Sequence, residues 1–168
     1  MNAAAHTKPT LRPFLPQDAS AVAQIFRDAI EDLTSDDYDE VQRAAWSASA
    51  DDEESFARRL AAQTTLLALR DGTPAGFVSL KGNDHLDMLY VRPELAGEGV
   101  GTYLEQAAET LARGRGAKSL TVEASDTALP FFDKLGFKPQ VRQSVAVNGE
   151  WLANTKMAKT LGAAGASR

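Results

Sequence analysis

Between Val22 and Leu33 apolar residues recur at three- and four-residue intervals. Val22, Ile25, Phe26, Ala29, Ile30 and Leu33 share one face, and the spacing predicts an amphipathic helix capped by Asp18. Leu11 to Leu15 precedes it as an edge strand, because Pro13 has no ladder donor. Two acidic stretches, Ser35 to Glu40 and Asp51 to Glu54, lead into further helical periodicities, one through Val41, Ala45 and Trp46, the other through Phe56 and Leu60. Carboxylates in a first turn complement the macrodipole, which is the structural reading of both stretches. The functional reading is that Asp36, Asp37, Asp39 and Glu40 line the mouth of a site that takes a cation.

From Thr64 the period falls to two. Thr65–Leu69 and Ala75–Leu80 flank Asp71-Gly72, a hairpin signal, and Lys81-Gly82-Asn83 turns into a strand ending at Met88-Leu89-Tyr90-Val91. The next helix carries Val100, Leu104, Ala107, Ala108 and Leu111 on one face and Glu105, Glu109 and Arg113 on another, and stops at Gly114 and Gly116. Ser119 to Glu123 follows as a strand parallel to the one ending at Val91. A short helix through Ala128, Phe131, Phe132 and Leu135 ends at Gly136. Val141, Val145 and Val147 then alternate up to Asn148-Gly149, from which Trp151 to Lys159 returns. These elements predict an α/β fold, α+β in character. Its sheet is mixed and mostly antiparallel, with a central parallel strand pair and helices on both faces. One domain spans residues 10–161, between a mobile N-terminus (1–9) and a disordered tail (162–168).

Composition narrows the classes. A chain of 168 residues, 43% hydrophobic, buries one sizeable core, and a net charge of −5 argues against nucleic acid or an anionic membrane as partner. Cysteine is absent, which removes disulfides, thiolate metal sites and cysteine nucleophiles. The two histidines, His6 and His85, are too few for a metal centre. No apolar run is long enough for a signal sequence or a membrane span, so the expected setting is the cytoplasm.

The chemistry centres on Leu89 to Thr102, where a buried strand passes through Pro93 into Gly97, Gly99 and Gly101 and then a helix. Missing Cβ atoms admit a ligand close to the backbone, and the free N–H groups of the first helical turn point at it, so the stretch suits a phosphate. A P-loop is excluded because no Gly-Lys-Ser/Thr follows. A dinucleotide fingerprint fits in part, with Thr102 where its third glycine belongs and Glu123 near the place of an acidic ribose ligand.

The same stretch more closely resembles the pyrophosphate loop of the GNAT superfamily of acetyl-CoA-dependent N-acetyltransferases: Val91, Pro93, Gly99 and Gly101 match, while Ala96 stands where Gln or Arg is usual. A second signature is similar, from Ala124-Ser125 to Pro130-Phe131-Phe132-Asp133-Lys134-Leu135-Gly136-Phe137, in the form of the YafP-like branch. The resemblance runs from Leu11 to about Leu161. It implies acetyl-CoA as co-substrate, with pantetheine alongside Leu86 to Val91 and the thioester carbonyl polarised by a backbone N–H near Leu89. The implied contacts are Leu89, Tyr90, Val91, Gly97, Glu98, Gly99, Val100, Gly101, Thr102, Ser125 and Phe132. It also implies a small-molecule or peptide amine as acceptor and a possible homodimer, with no metal.

His85 and Asp87 occupy positions where several members of that family carry a general base. Strict strand alternation puts both on the face of Leu89, with Asp87 beside His85. The alternative is a half-exposed histidine next to a turn with no role in catalysis. Phe132 stands where the family commonly has a tyrosine that protonates the departing thiolate, so Tyr90 and Tyr38 are considered as donors or as packing residues. Trp46 and Trp151 read as core or acceptor-wall aromatics. Two rival readings are a non-catalytic acyl-CoA-binding module and a nucleotide-dependent oxidoreductase.

Overall fold

A computed structural model describes residues 8–162. His6 and most of the two expected terminal segments lie outside them; Pro9, expected to be mobile, is buried, and Lys8 Nζ stands 5.5 Å from the centre of the Tyr103 ring. Seven strands form one sheet: β1 (Thr10–Pro13), β2 (Thr64–Arg70), β3 (Thr73–Lys81), β4 (His85–Val91), β5 (Ser119–Ser125), β6 (Lys138–Val147) and β7 (Glu150–Thr160). Their order is β1-β2-β3-β4-β5-β7-β6, antiparallel throughout except for β4 and β5. The hairpins form at the expected dipeptides, because Asp71-Gly72 (φ 53° and 78°) and Asn148-Gly149 (φ 47° and 90°) adopt the left-handed conformation that a tight two-residue turn requires.

Helices α1 (Ala19–Leu33), α2 (Glu40–Ser47), α3 (Glu53–Ala61), α4 (Val100–Gly114) and α5 (Leu129–Lys134) connect the strands. Val22, Phe26 and Ile30 of α1 pack with Phe56 and Leu60 of α3 on one face of the sheet, against Leu67, Phe77 and Met88. Val100, Leu104, Ala108 and Ala112 of α4 cover the other face over Val78, Leu80, Leu86 and Val122. The helical and strand periods thus bury their apolar faces against each other as read from the sequence. Among the described residues no helix is long and apolar enough to cross a membrane.

Several local expectations change. Asp18 does not cap α1 with its side chain; it accepts the Leu15 N–H (2.8 Å) and is gripped at both oxygens by Arg12 (2.7 and 2.9 Å), which holds its carboxyl below the usual range. Trp151 is 67% exposed and belongs to no core, and Leu33 lies at the rim of α1's apolar face. The polar face of α4 is buried: Glu105 is inaccessible, and Glu109 is bound by Lys159 Nζ (2.6 Å) and Arg113 (3.3 Å). Burial, with the carboxylate of Glu109 beside it, pushes the Glu105 carboxyl up to about 9, so it is neutral at physiological pH. The sequence pattern missed this because one salt-bridged lysine from β7 makes an acidic helix face compatible with an interior.

β4 departs from regularity in two ways that shape the centre of the molecule. Leu80 pairs with Leu86 and Ser79 with Met88, so Asp87 is an extra residue, a β-bulge that reverses the alternation of the strand. Leu86 and Leu89 consequently both face the α4 layer, whereas Met88 and Tyr90 face α1 and α3. β4 and β5 also pair at only two positions, His85 with Thr121 and Leu86 with Val122, although both strands run on, to Val91 and Ser125. Beyond Leu86 the two strands part, and the sheet opens.

Candidate active site

The opening between β4 and β5 is a cavity of about 820 Å³ whose walls come from α1, α2, β4, the β4–α4 loop, β5, α5 and the β6–β7 hairpin. One end is the glycine loop. Gly97 (φ 79°) and Gly99 (φ 91°) are left-handed, and a Cβ added at either would meet nothing in the protein, so their side-chain space is open to a ligand. Gly99 is the N-cap of α4 and no side chain caps the helix. The N–H groups of Val100, Gly101 and Thr102 in the first turn therefore have no intrahelical acceptor, and the positive end of the macrodipole faces the cavity. Gly101 is a glycine for another reason: its Cβ would lie 3.3 Å from the Phe131 ring of α5 and 3.7 Å from Leu89.

The wall along β4 offers backbone donors. Arg92 N–H bonds to Ala75 O of β3 (2.9 Å), and Gly76 pairs with Val91. Because antiparallel residues alternate in the direction of their ladder groups, Leu89 and Val91 turn their N–H groups away from β3, toward the gap. Ser125 Oγ accepts the Ala128 N–H (3.0 Å) and lines the opposite wall beside Phe132, whose ring packs on Phe131 and Phe137 with centroids 5.0 and 5.2 Å away.

Of the residues singled out in the sequence, His85, Asp87, Leu89, Tyr90, Val91, Gly97, Gly99, Gly101, Thr102, Ser125 and Phe132 all line the cavity. Glu98 and Val100 do not: the Glu98 carboxylate turns away to Arg70, and the Val100 side chain is fully buried in the core. The expected sharing of a face by His85, Asp87 and Leu89 is broken by the bulge. His85 and Asp87 point to the α1–α3 side and Leu89 to the α4 side.

Nor are His85 and Asp87 paired. Asp87 Oδ2 accepts from Arg59 (2.9 and 3.2 Å) and Gln63 (2.8 Å) of the α3 segment, and His85 Nδ1 lies 2.8 Å from Thr121 Oγ1. Thr121 Oγ1 in turn donates to Asp84 O (3.3 Å). With Nδ1 held at Thr121, Nε2 of His85 has no hydrogen-bond partner among the described residues.

An aromatic and apolar group, Phe26, Leu33, Trp46, Val145, Val147 and Leu152, also lines the cavity, together with polar residues that include Thr34, Ser49, Glu123 and Asn154. Tyr90 is enclosed by Phe26 (4.8 Å between centroids), Phe77 (5.7 Å) and Trp46 (6.4 Å), and burial pushes its phenol far above the ordinary range. Tyr38 donates to Ala153 O (2.6 Å) and accepts the Asp126 N–H (2.9 Å), tying the α1–α2 segment to β7 and to the β5–α5 loop, and burial raises its pKa as well. Both are packing and positioning residues. Arg59, Gln63 and Thr121 carried no sequence signal that would have placed them here, because each reaches the site from a distant element.

The acidic stretches serve the helices. Asp39 caps α2 by accepting the Gln42 N–H (2.8 Å), Asp52 caps α3 through the Ser55 N–H (3.1 Å), and Asp37 accepts from Thr127 (2.7 Å). None of Asp36, Asp37, Asp39 or Glu40 is among the cavity walls.

Residues 34–161 match the family model described as the Acetyltransferase (GNAT) domain. The chain is 32% identical to the uncharacterized N-acetyltransferase YafP of Escherichia coli K12 over 147 residues, 88% of this chain and 93% of that one. A crystal structure described as a GCN5-related N-acetyltransferase, aminotransferase class-II, from Rhodopseudomonas palustris superposes with a TM-score of 0.92 at 54% identity, covering 95% of this chain and all of that one. The PaiA N-acetyltransferase of Thermoplasma acidophilum, solved in complex with coenzyme A, shares the fold at 20% identity, with a TM-score of 0.76 over 92% of this chain and 99% of that one.

Proposed function

Because the chain belongs to the GNAT family of acetyltransferases, we propose from the geometry of its cleft that it transfers the acetyl group of acetyl-CoA directly to a primary amine of a small molecule or peptide. The observation that carries this reading is the opening of an uncapped, glycine-rich helix N-terminus and of a histidine with a free Nε2 into one cavity, from opposite ends of the parted strands. The pyrophosphate of acetyl-CoA sits on the N–H groups of Gly97 to Thr102, and the loop itself adds no cation, since no Lys or Arg lies between Glu94 and Thr102. Pantetheine runs along β4, and the N–H of Leu89 polarises the thioester carbonyl.

The acceptor arrives as an ammonium and must lose a proton before its nitrogen can attack. His85 Nε2 takes that proton; the nitrogen forms its bond to the carbonyl carbon, the C–S bond breaks, and coenzyme A leaves as thiolate. The second nitrogen proton lost on collapse of the intermediate equals the one the thiolate needs, so the products are the amide and the free thiol, with one proton released through His85. Phe132 cannot donate, and the Tyr38 hydroxyl proton is given to Ala153 O. A thiol of pKa about 8.5 departs as the anion without a dedicated acid. Asp87, neutralised by Arg59, fixes the bulge that aims His85 and Leu89 to their two sides. A cytoplasmic setting belongs to this reading. So does a homodimer, supported by the open edge of β6 and the exposed Val141 and Trp151.

Endpoint thiol release from acetyl-CoA over a panel of primary amines tests the reading. We expect amine-dependent release with a matching acetylated product. Tight acetyl-CoA binding without release from any amine would instead mark an acyl-CoA-binding module.

A further inference from the structure

Among the described residues, the cavity wall contains two carboxylates, Asp87 and Glu123. Asp87 is claimed by Arg59 and Gln63. Glu123, on β5, is exposed, and no described side chain hydrogen-bonds or ion-pairs with it. It is also one of the residues, with His85, that line both the main cavity and an adjoining groove of about 210 Å³ that Thr121, Gln140 and Lys156 complete. Leu120, Val122 and Ala124 of β5 point into the α4 core, so Thr121 and Glu123 share the opposite face, about 6.6 Å apart along the strand. His85 sits on Thr121. The free carboxylate therefore stands one side-chain position beyond the proposed base, at the point where β4 and β5 separate.

We infer that Glu123 receives the acceptor's ammonium group and that the acceptor is a singly charged primary amine on an apolar body, such as an arylalkylamine, rather than a polyamine or a lysine-rich peptide. This rests on the acetyltransferase reading of the same cavity. The apolar part of the lining fixes the body: Leu33, Trp46, Val145, Val147 and Leu152 line the cavity, with the uncharged Thr34, Ser49 and Asn154. The charges around the site fix the number of positive charges. Arg59 and Asp87 already neutralise each other, Lys134 lines the cavity, and Lys156 lies directly opposite Glu123 across β5 and β7, so among the described residues of the wall Glu123 is the one carboxylate left for an ammonium. Of the carboxylates expected from the sequence to attract a cation, Asp39 caps α2 and Asp37 accepts from Thr127, and none of Asp36, Asp37, Asp39 or Glu40 lines the cavity.

The test is calorimetric titration of 2-phenylethylamine and of spermidine into the wild-type protein and Glu123→Gln, each with coenzyme A present, and thiol release measured on the same samples with acetyl-CoA. 2-Phenylethylamine should bind the wild type at least tenfold tighter than spermidine does, and Glu123→Gln should weaken it at least tenfold while leaving coenzyme A affinity unchanged. Glu123→Asp, which keeps the charge, should recover part of the loss. Equal affinity in the wild type and Glu123→Gln overturns the role of Glu123, and tighter spermidine binding overturns the acceptor class. Amine that binds as expected but is not acetylated leaves this inference standing and removes the acetyl-transfer reading alone.

Discussion

Replacing His85 by alanine is expected to lower kcat/KM for the acceptor amine about 100-fold or more, the usual contribution of a positioned general base, while the acetyl-CoA dissociation constant stays unchanged. The acidic limb of the pH profile should disappear with it, because that limb arises where the imidazole is protonated and cannot accept from the ammonium. The expectation follows from the hydrogen bond between Nδ1 and Thr121 Oγ1, which leaves Nε2 without a partner among the described residues, and from the absence of a competing free base on β4 once Asp87 is bound to Arg59 and Gln63. Thr121→Val should give a smaller loss of the same kind, since it releases Nδ1 without removing the ring. A His85→Ala protein with wild-type kcat/KM and an unmoved acidic limb would return the proton to a water relay or to Glu123.

The second large effect concerns the glycine loop. Gly99→Val should raise the acetyl-CoA dissociation constant at least tenfold, about 1.4 kcal/mol. A valine at φ 91° is strained in the left-handed region and its side chain enters space that the protein leaves open to the ligand. Gly101→Val should weaken binding by another route, by driving Phe131 off the α4 N-terminus that its ring now touches. Gly72→Val serves as control, because Gly72 is also left-handed with open space around it but sits in the β2–β3 turn, away from the cavity. Unchanged affinity in folded Gly99→Val, read by titration calorimetry, would remove the loop from the cofactor site.

Most of the architecture was legible because the burial pattern and the local chemistry agreed. The α1 and α4 faces, the two left-handed hairpin dipeptides and the glycine loop each carry their own signal. What the sequence concealed was long-range. The bulge at Asp87 depends on how β3 lies against β4, so alternation counted along β4 alone put His85 and Leu89 on one face when they occupy two. The partners of His85 and Asp87 come from β5 and the α3 segment, and the short parallel pairing that opens the cleft joins residues 36 apart in the chain, His85 with Thr121 and Leu86 with Val122. The buried Glu105 and Glu109 read as a solvated face for the same reason, their lysine lying on β7.

Acetyl-CoA is expected to enter where β4 and β5 part. A crystal structure with acetyl-CoA bound tests this expectation most directly. Pyrophosphate oxygens are expected within hydrogen-bond distance of the N–H groups of Gly97 to Thr102, the thioester carbonyl on the N–H of Leu89, and the acetyl carbon facing His85 and Glu123 across the gap. Acetyl-CoA bound outside this cavity, or bound within it with the acetyl group turned away from His85, would contradict it.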